Sequence, residues 1–325
     1  MVSELLRQFP DAPALTLAKR AYREHPALWS SLETCRTMFR HKLGVQGHKN
    51  RKHTPRFGRP PRQAGYSIAA LPAALSHFDD WRALKLSGPL RVLVLADLHV
   101  PYHDNVAIDT AIRYGLDHQA DCVLLNGDVV DFFGLSMWEK DPRKRDVPAE
   151  VRAGRQFIKA LRQAFPTARI VWKEGNHEER WERYLRLKAP ELLGLDEFEW
   201  HEVYGLSELK IEHVGDKRPV KLGELAIIHG HEYSFAIANP VNPARGLYLR
   251  GKVHAMCGHF HQSSQHSEKD LNGHVVSTFS TGCLSDLHPD YRPLNNWCHG
   301  FAFVESDKAG RFTVQNLRII KGKAY

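Results

Sequence analysis

Five short polar clusters hold the chemistry of this sequence: Asp97-Leu98-His99, Gly127-Asp128-Val129-Val130-Asp131, Gly175-Asn176-His177-Glu178, His229-Gly230-His231 and Gly258-His259-Phe260-His261. Asp, Asn and His offer oxygen and nitrogen donors, and no cysteine interrupts the set. That is the ligand chemistry of first-row divalent cations rather than of a thiolate zinc site. Each cluster alone reads more readily as a turn or as a satisfied surface or core group. All five together, each closing an apolar run, point to a single metal-binding rim.

The segments ahead of the clusters explain how residues so far apart converge. Residues 90–96 (LRVLVLA) are a continuous apolar, β-branched run, as expected of a strand covered on both faces. Residues 122–125, 170–172, 225–228 and 253–257 repeat that texture. Between them, 104–117, 149–165, 178–188 and 243–251 read as helices, so strand alternates with helix and a layered α/β sheet follows. Ligands of such sheets bind beyond the carboxyl ends of the strands, where all five clusters fall. The tail differs: 275–281, 301–305 and 312–319 read as strands joined by turns alone, which predicts a second, more antiparallel sheet.

Composition narrows the class. With 325 residues, 42% hydrophobic and 25% charged, the chain is neither wholly disordered nor collagen-like nor a disulfide scaffold. No apolar run approaches the roughly 20 residues that span a bilayer, so no membrane partner is expected. Residues 1–10 include Glu4 and Arg7 and do not read as a signal peptide. Cys35, Cys122, Cys257, Cys283 and Cys298 are scattered, which predicts free thiols and a cytoplasmic setting.

Charge is unevenly placed. Residues 1–90 hold 15 Lys and Arg against six Asp and Glu, whereas the rest of the chain is nearly balanced. Between Glu33 and Asp79 there is no acidic residue, but there are nine basic ones, Arg51, Arg59 and Arg62 among them. Two readings stand: a solvated linker, or a polyanion-binding segment. Gly58-Arg59-Pro60 resembles the centre of an AT-hook, which makes Arg59 a candidate nucleic-acid contact. Residues 15–25 read as a short helix, and a second starts at Ser30, whose spacing to Glu33 fits a capping box. Leu32, Cys35, Phe39 and Leu43 then form one apolar stripe. This pair is either part of a helix-turn-helix, with no third helix evident, or a hairpin packed on the larger domain. Residues 44–66 read as a linker, 71–86 as a further helix, and Ser87-Gly88-Pro89 as a boundary. The expected organisation is a basic helical region over 1–88 and a catalytic domain over 89–325.

In its five clusters the sequence resembles the calcineurin-like metallophosphoesterases, with their D-x-H, G-D-x-x-D, G-N-H-[D/E], H and G-H-x-H motifs. The resemblance covers roughly residues 90–320 and implies two packed β-sheets flanked by helices, a four-layer sandwich. It implies two divalent cations about 3.5 Å apart. One would be held by Asp97, His99, Asp128 and His261, the other by Asp128, Asn176, His229 and His259, with Asp128 bridging. Manganese is the expected metal, and iron, zinc, nickel and cobalt are compatible. Two such cations against Asp97, Asp128 and a bridging hydroxide leave a charge of about +1, which attracts a phosphate and supports in-line attack by the hydroxide. By the same resemblance His177 supplies a proton or a stabilising charge to the leaving oxygen. Asp131 either orients a histidine or makes a structural hydrogen bond at the turn. His103 is a candidate phosphate contact. His231 and His288 read as structural, Glu178 as the opening of a helix, and Arg180 and Arg183 as surface ion-pair partners.

Protein phosphatases of that family have arginine after the second Asp of G-D-x-x-D and before G-N-H-E. Here those places hold Phe132 and Glu174. A diester carries one negative charge and needs fewer such clamps. Phe132, Phe133 and Trp138 either stack on a base or pack under a loop. The leading expectation is a phosphodiesterase or nuclease acting on DNA, RNA or an oligonucleotide, tethered by the basic region. A monoesterase or nucleotidase for a small substrate is the second reading. A nucleic-acid-binding protein with a structural metal site is the third.

Overall fold

The computed structural model describes residues 1–44, 72–73, 81–138, 141–233 and 241–325. The chain divides into two compact units, Met1–His77 and Phe78–Tyr325. Arg59, and the linker expected over 44–66 apart from Gly44, lie outside the described residues.

In the first unit, α1 (Val2–Gln8), α2 (Ala14–Glu24) and α3 (Leu32–Lys42) bury Leu5, Leu17, Ala18, Ala21, Cys35 and Phe39 together. The third helix missing from the sequence reading is therefore present, at the N-terminus. It is seven residues long and buries Leu5 alone, so tertiary contact rather than its own propensity holds it. The expected cap also moves by one residue. Ser31, not Ser30, accepts the Thr34 N–H at 3.1 Å, and Glu33 pairs with Arg36 instead of turning back.

In the second unit, a seven-stranded sheet carries β2 (Leu90–Leu95), β3 (Cys122–Asn126), β4 (Arg169–Lys173) and β5 (Ile211–Val214) in parallel order. Antiparallel β11 (Gly300–Ser306) lies beside β2, followed outward by β12 (Phe312–Ile320) and β13 (Lys323–Ala324). A six-stranded sheet runs β1 (Leu84–Leu86), β6 (Val220–Leu222), β7 (Leu225–Ile227), β8 (Ala255–Cys257), β10 (Val275–Ser280), β9 (Ser264–Lys269).

Two expectations fail here. Residues 84–86 are strand β1, paired in parallel with β6, not the end of a helix, because backbone pairing with β6 satisfies that stretch. The tail does not form its own sheet. Its strands divide, β10 entering the six-stranded sheet between β8 and β9 while β11 and β12 extend the seven-stranded one. Alternating apolar patterns show that a segment is a strand but not which edge it will join.

The apolar run of β2 serves both faces. Leu93 and Leu95 pack with Val123, Leu125 and Trp172 against Ala111 of α4 (Asn105–Asp117) and Ile158 and Leu161 of α5 (Val147–Ala164). Val92 and Val94 pack with Leu124 and Val171 against Leu222, Leu225, Ile227 and Met256 of the other sheet. On that sheet's outer side, Leu247 of α8 (Pro243–Gly251) meets Ala255 and Cys257. Helix, sheet, sheet and helix make four layers, and each fully buried Leu or Val contributes about 1.5–3 kcal/mol. Among the described residues no helix is long and apolar enough to cross a membrane.

Candidate metal centre

The five clusters sit where the strands end. Asp97 and His99 follow β2, Asp128 and Asp131 follow β3, and Asn176 and His177 follow β4, ahead of α6 (Glu179–Lys188). His229 follows β7, and His259 and His261 follow β8. The centre thus draws its donors from the carboxyl ends of strands in both sheets.

Three groups of donors form. Ligand-capable atoms lie within 4.8 Å of one another in Asp97, His99 and His261, in Asp128, His229 and His259, and in His99, Asp128 and His177. His229 Nε2 stands 3.2 Å from Asp128 Oδ2 and 3.3 Å from Asn176 Oδ1. His261 Nε2 is 3.3 Å from Asp97 Oδ1 and 3.2 Å from His99 Nε2. All seven residues named from the sequence converge, joined through Asp128.

The backbone is bent to do this. Asp97, His99, Asp128, His259 and His261 hold φ between 52° and 67°, the left-handed region. Each costs on the order of 1 kcal/mol or more for a residue with a Cβ, strain that concentrates at functional sites. Neighbouring glycines allow close approach: a Cβ on Gly258 would fall 2.6 Å from Asp97 Oδ2, and one on Gly175 would collide with Asp128.

Hydrogen bonds set the ring orientations. His229 Nδ1 donates to the Asn126 carbonyl at 2.7 Å, so its Nε2 faces the centre. His99 Nδ1 meets Asp131 Oδ2 at 2.9 Å, which leaves its Nε2 towards His261 and Asp128. A ring nitrogen tied to a carbonyl or carboxylate while the other points inward is the usual arrangement of metal-binding histidine. The Asp97 and Asp128 side chains are buried. Burial would raise both carboxyls, but His261 beside Asp97, and His177 and His229 beside Asp128, hold them low. Burial would likewise lower His229, yet Asp128 raises it to about 10, and Asp97 raises His261 well above the usual imidazole range. Protons on those rings balance the carboxylates in the way a cation would. The donor set, its inward nitrogens and its buried negative charge fit divalent metal ions.

His177 lies over Asp128. Its backbone N–H donates to Asp128 Oδ1 at 2.9 Å, and its Nδ1 donates to the Asp131 carbonyl at 2.8 Å. Its Nε2 then carries the lone pair and accepts from Arg180 Nη2 at 2.8 Å. Burial pulls the ring down to about 3. Arg180 also donates to the Asp131 carbonyl, so it is tied into the centre and is not the surface ion pair expected from sequence.

Glu178 does more than open a helix. Its buried carboxylate accepts the N–H groups of Gly175, Asp128 and Val129 at 2.7, 3.0 and 2.9 Å, clamping one metal-site loop to the next. Burial, then Asp128, raise it to about 7. Lys173 and Glu232 form a buried ion pair at 2.6 Å, though not an aligned hydrogen bond, and Glu232 accepts the His229 N–H at 2.8 Å. That pair links the end of β4 to the loop after β7, one sheet to the other. Trp297 packs its ring 4.1 Å from that of His261. Neither Lys173 and Glu232 nor Trp297 carries a motif signal. Only the Glu of G-N-H-E does, and its local reading as a helix start points elsewhere.

Other candidates fall differently. Phe132 is fully buried with its ring against Trp181 and Tyr204, so core packing removes it from any substrate. His103 hydrogen-bonds Asn105 at the start of α4 and joins none of the three donor groups. Glu174 accepts from Trp200 Nε1 and is bonded to His213. His231 pairs with Glu179. Trp138 is 72% exposed.

Comparison with known proteins gives the family. Residues 90–263 match the family described as Calcineurin-like phosphoesterase. The Gene 54 proteins of Mycobacterium phages L5 and D29 are 25% and 24% identical over 229 residues, covering 67% of this chain and 89% of each of theirs. Among solved structures, Vacuolar Protein Sorting 29 from Cryptosporidium parvum aligns at TM-score 0.40 and 14% identity, over 74% of this chain and 96% of that one. Nuclease MPE from Pseudomonas putida aligns at TM-score 0.32 and 13% identity, over 69% and 87%.

Proposed function

This chain belongs to the calcineurin-like phosphoesterases and is a metal-dependent phosphoester hydrolase, and we propose that it is a phosphodiesterase whose substrate is a nucleic acid. Asp97, His99, Asp128 and His261 would hold one divalent cation, manganese by preference, and Asp128, Asn176, His229 and His259 a second. When bound, the cations would draw charge from the phosphate and lower the pKa of water at the centre. The chain's own side chains do the rest. Asp131 orients His99, Glu178 holds the Asp128 loop, and Lys173 with Glu232 holds the His229 loop. His177 keeps Arg180 against the centre, and Arg180 meets the charge that develops on the leaving oxygen.

The observation that carries the diester reading is the supply of cations. Among the described residues Arg180 is the one arginine or lysine hydrogen-bonded to His177 and Asp131, and the two positions of the paired phosphatase arginines hold buried Phe132 and half-buried Glu174, the latter bonded to Trp200 and His213. A dianionic monoester calls for paired arginines, whereas a diester carries a single charge. The surplus of basic residues in the first 90 supports a polyanionic substrate. Five unpaired cysteines support a reducing, cytoplasmic setting.

The test is metal-stripped protein supplied with Mn²⁺ and offered bis- and mono-p-nitrophenyl phosphate, single-stranded DNA, duplex DNA and RNA. Diester turnover should exceed monoester turnover by about tenfold or more, with cleavage of at least one nucleic acid. The opposite ratio would establish a monoesterase or nucleotidase instead.

A further inference from the structure

A cavity of about 1130 Å³ opens beside the centre, and Asn176 and Arg180 are both part of its wall. It runs outward along α6, where Arg183 follows Arg180 by three residues, a rise of about 4.5 Å along a helix. Trp138 lines the same cavity, exposed and with no aromatic partner among the described residues.

The charges of the lining are not equivalent. Glu174 is bonded to His213, Glu179 to His231, Glu182 to Arg186 and Glu232 to Lys173. Asp216 is the lining acid without such a partner among the described residues. The side chain of Arg183 has no hydrogen bond or ion pair among them and is exposed. A guanidinium free to take a phosphate, an open indole and a path to the metal donors make a site for a nucleotide. Arginine grips phosphate with a planar fork, and tryptophan stacks on any base. The volume exceeds what one nucleoside fills, since sites for single small ligands run from about 300 to 1,000 Å³.

We propose that this cavity is the subsite for the nucleotides adjoining the scissile phosphate of a single strand, with Arg183 on a flanking phosphate and Trp138 stacked on a base. The proposal rests on the nucleic-acid reading above. It places the substrate chain along α6, leaving Arg180 for the phosphate at the centre.

The experiment compares the full-length wild type with Trp138→Ala and Arg183→Glu, both changes at exposed side chains. The Mn²⁺-loaded proteins are assayed on a single-stranded 12-mer and on bis-p-nitrophenyl phosphate. The metal-free proteins are titrated with the fluorescein-labelled 12-mer over a range of salt. Each variant should lower the ratio of 12-mer to small-diester kcat/KM about tenfold. Arg183→Glu should also reduce the salt slope of 12-mer binding by about one. A wild type that cleaves the 12-mer, with variants that keep the ratio and the slope, would overturn the subsite and leave the nucleic-acid reading standing. A wild type that turns over the small diester but no oligonucleotide would overturn both.

Discussion

Among the described residues, the two units of this chain place their charges differently. In the first, the ion pairs among the described residues lie at the surface, such as Arg7 with Glu4 and Arg20 with Glu24, around a small core of Leu5, Leu17, Ala18, Ala21, Cys35 and Phe39. Pairs of this kind contribute about 0–1 kcal/mol, and water solvates any excess of basic groups. In the second, the charges that matter are buried: Asp97, Asp128, Glu178 and Lys173, the last paired with largely buried Glu232. A buried carboxylate must be matched by donors, protons or cations. Two sheets and their helices supply the rigidity that holds it, and left-handed backbone, against that cost. Surface ion pairs need little support from a core, whereas buried charge calls for a large one.

This contrast is open to attack. Asp128→Asn should cut turnover by about 10³-fold or more and abolish Mn²⁺ binding in calorimetry, because both proposed cation sites lose their shared ligand. Near-normal activity would refute the bridging role. His177→Ala should slow substrates with poor leaving groups by about 10²-fold more than p-nitrophenyl esters while Mn²⁺ still binds. An equal effect on both substrate types would remove His177 from the leaving-group step. Deleting residues 1–77, a cut that spares β1, should lower turnover of long DNA at low salt by about tenfold and leave bis-p-nitrophenyl phosphate hydrolysis nearly unchanged. A matching loss on both would erase the division of labour. The smallest signal sharpens the buried side. His229, raised to about 10, and His261, raised well above its usual range, hold protons at pH 7 in the metal-free protein. Metal needs their lone pairs, so Mn²⁺ binding in weak buffer should release about two protons per chain. Affinity should then weaken as pH falls. Binding without proton release would show that the two rings are already neutral.

Much of the second unit was legible because its signals are local. The run over residues 90–96 has no polar side except at Arg91, and β2 is indeed buried on both faces. The helix boundaries of α4, α5 and α8 fall within two residues of those expected, since Asp104, Asp146 and Asn242 each cap a first turn. Where two local readings tied, the sequence could not choose. Ser30 and Ser31 are chemically identical caps, and the register of α3 selects the second. Residues 84–86 are apolar at both ends with a lysine between, and β6 makes them a strand. Arg180 sits on a helix where Glu182 and Arg186 form an ordinary surface pair, and only the turn from Asn176 into α6 aims it at His177.

Donor identity, their succession along the chain and the segregation of basic charge follow from residue order alone, because each is a property of one residue or one short window. The convergence of those donors, the ring nitrogen each histidine turns inward, the clamp by Glu178 and the link between sheets through Lys173 and Glu232 required the folded chain. They join residues some 50 to 160 positions apart, and at that distance strand pairing within a sheet and the packing of two sheets decide which groups meet.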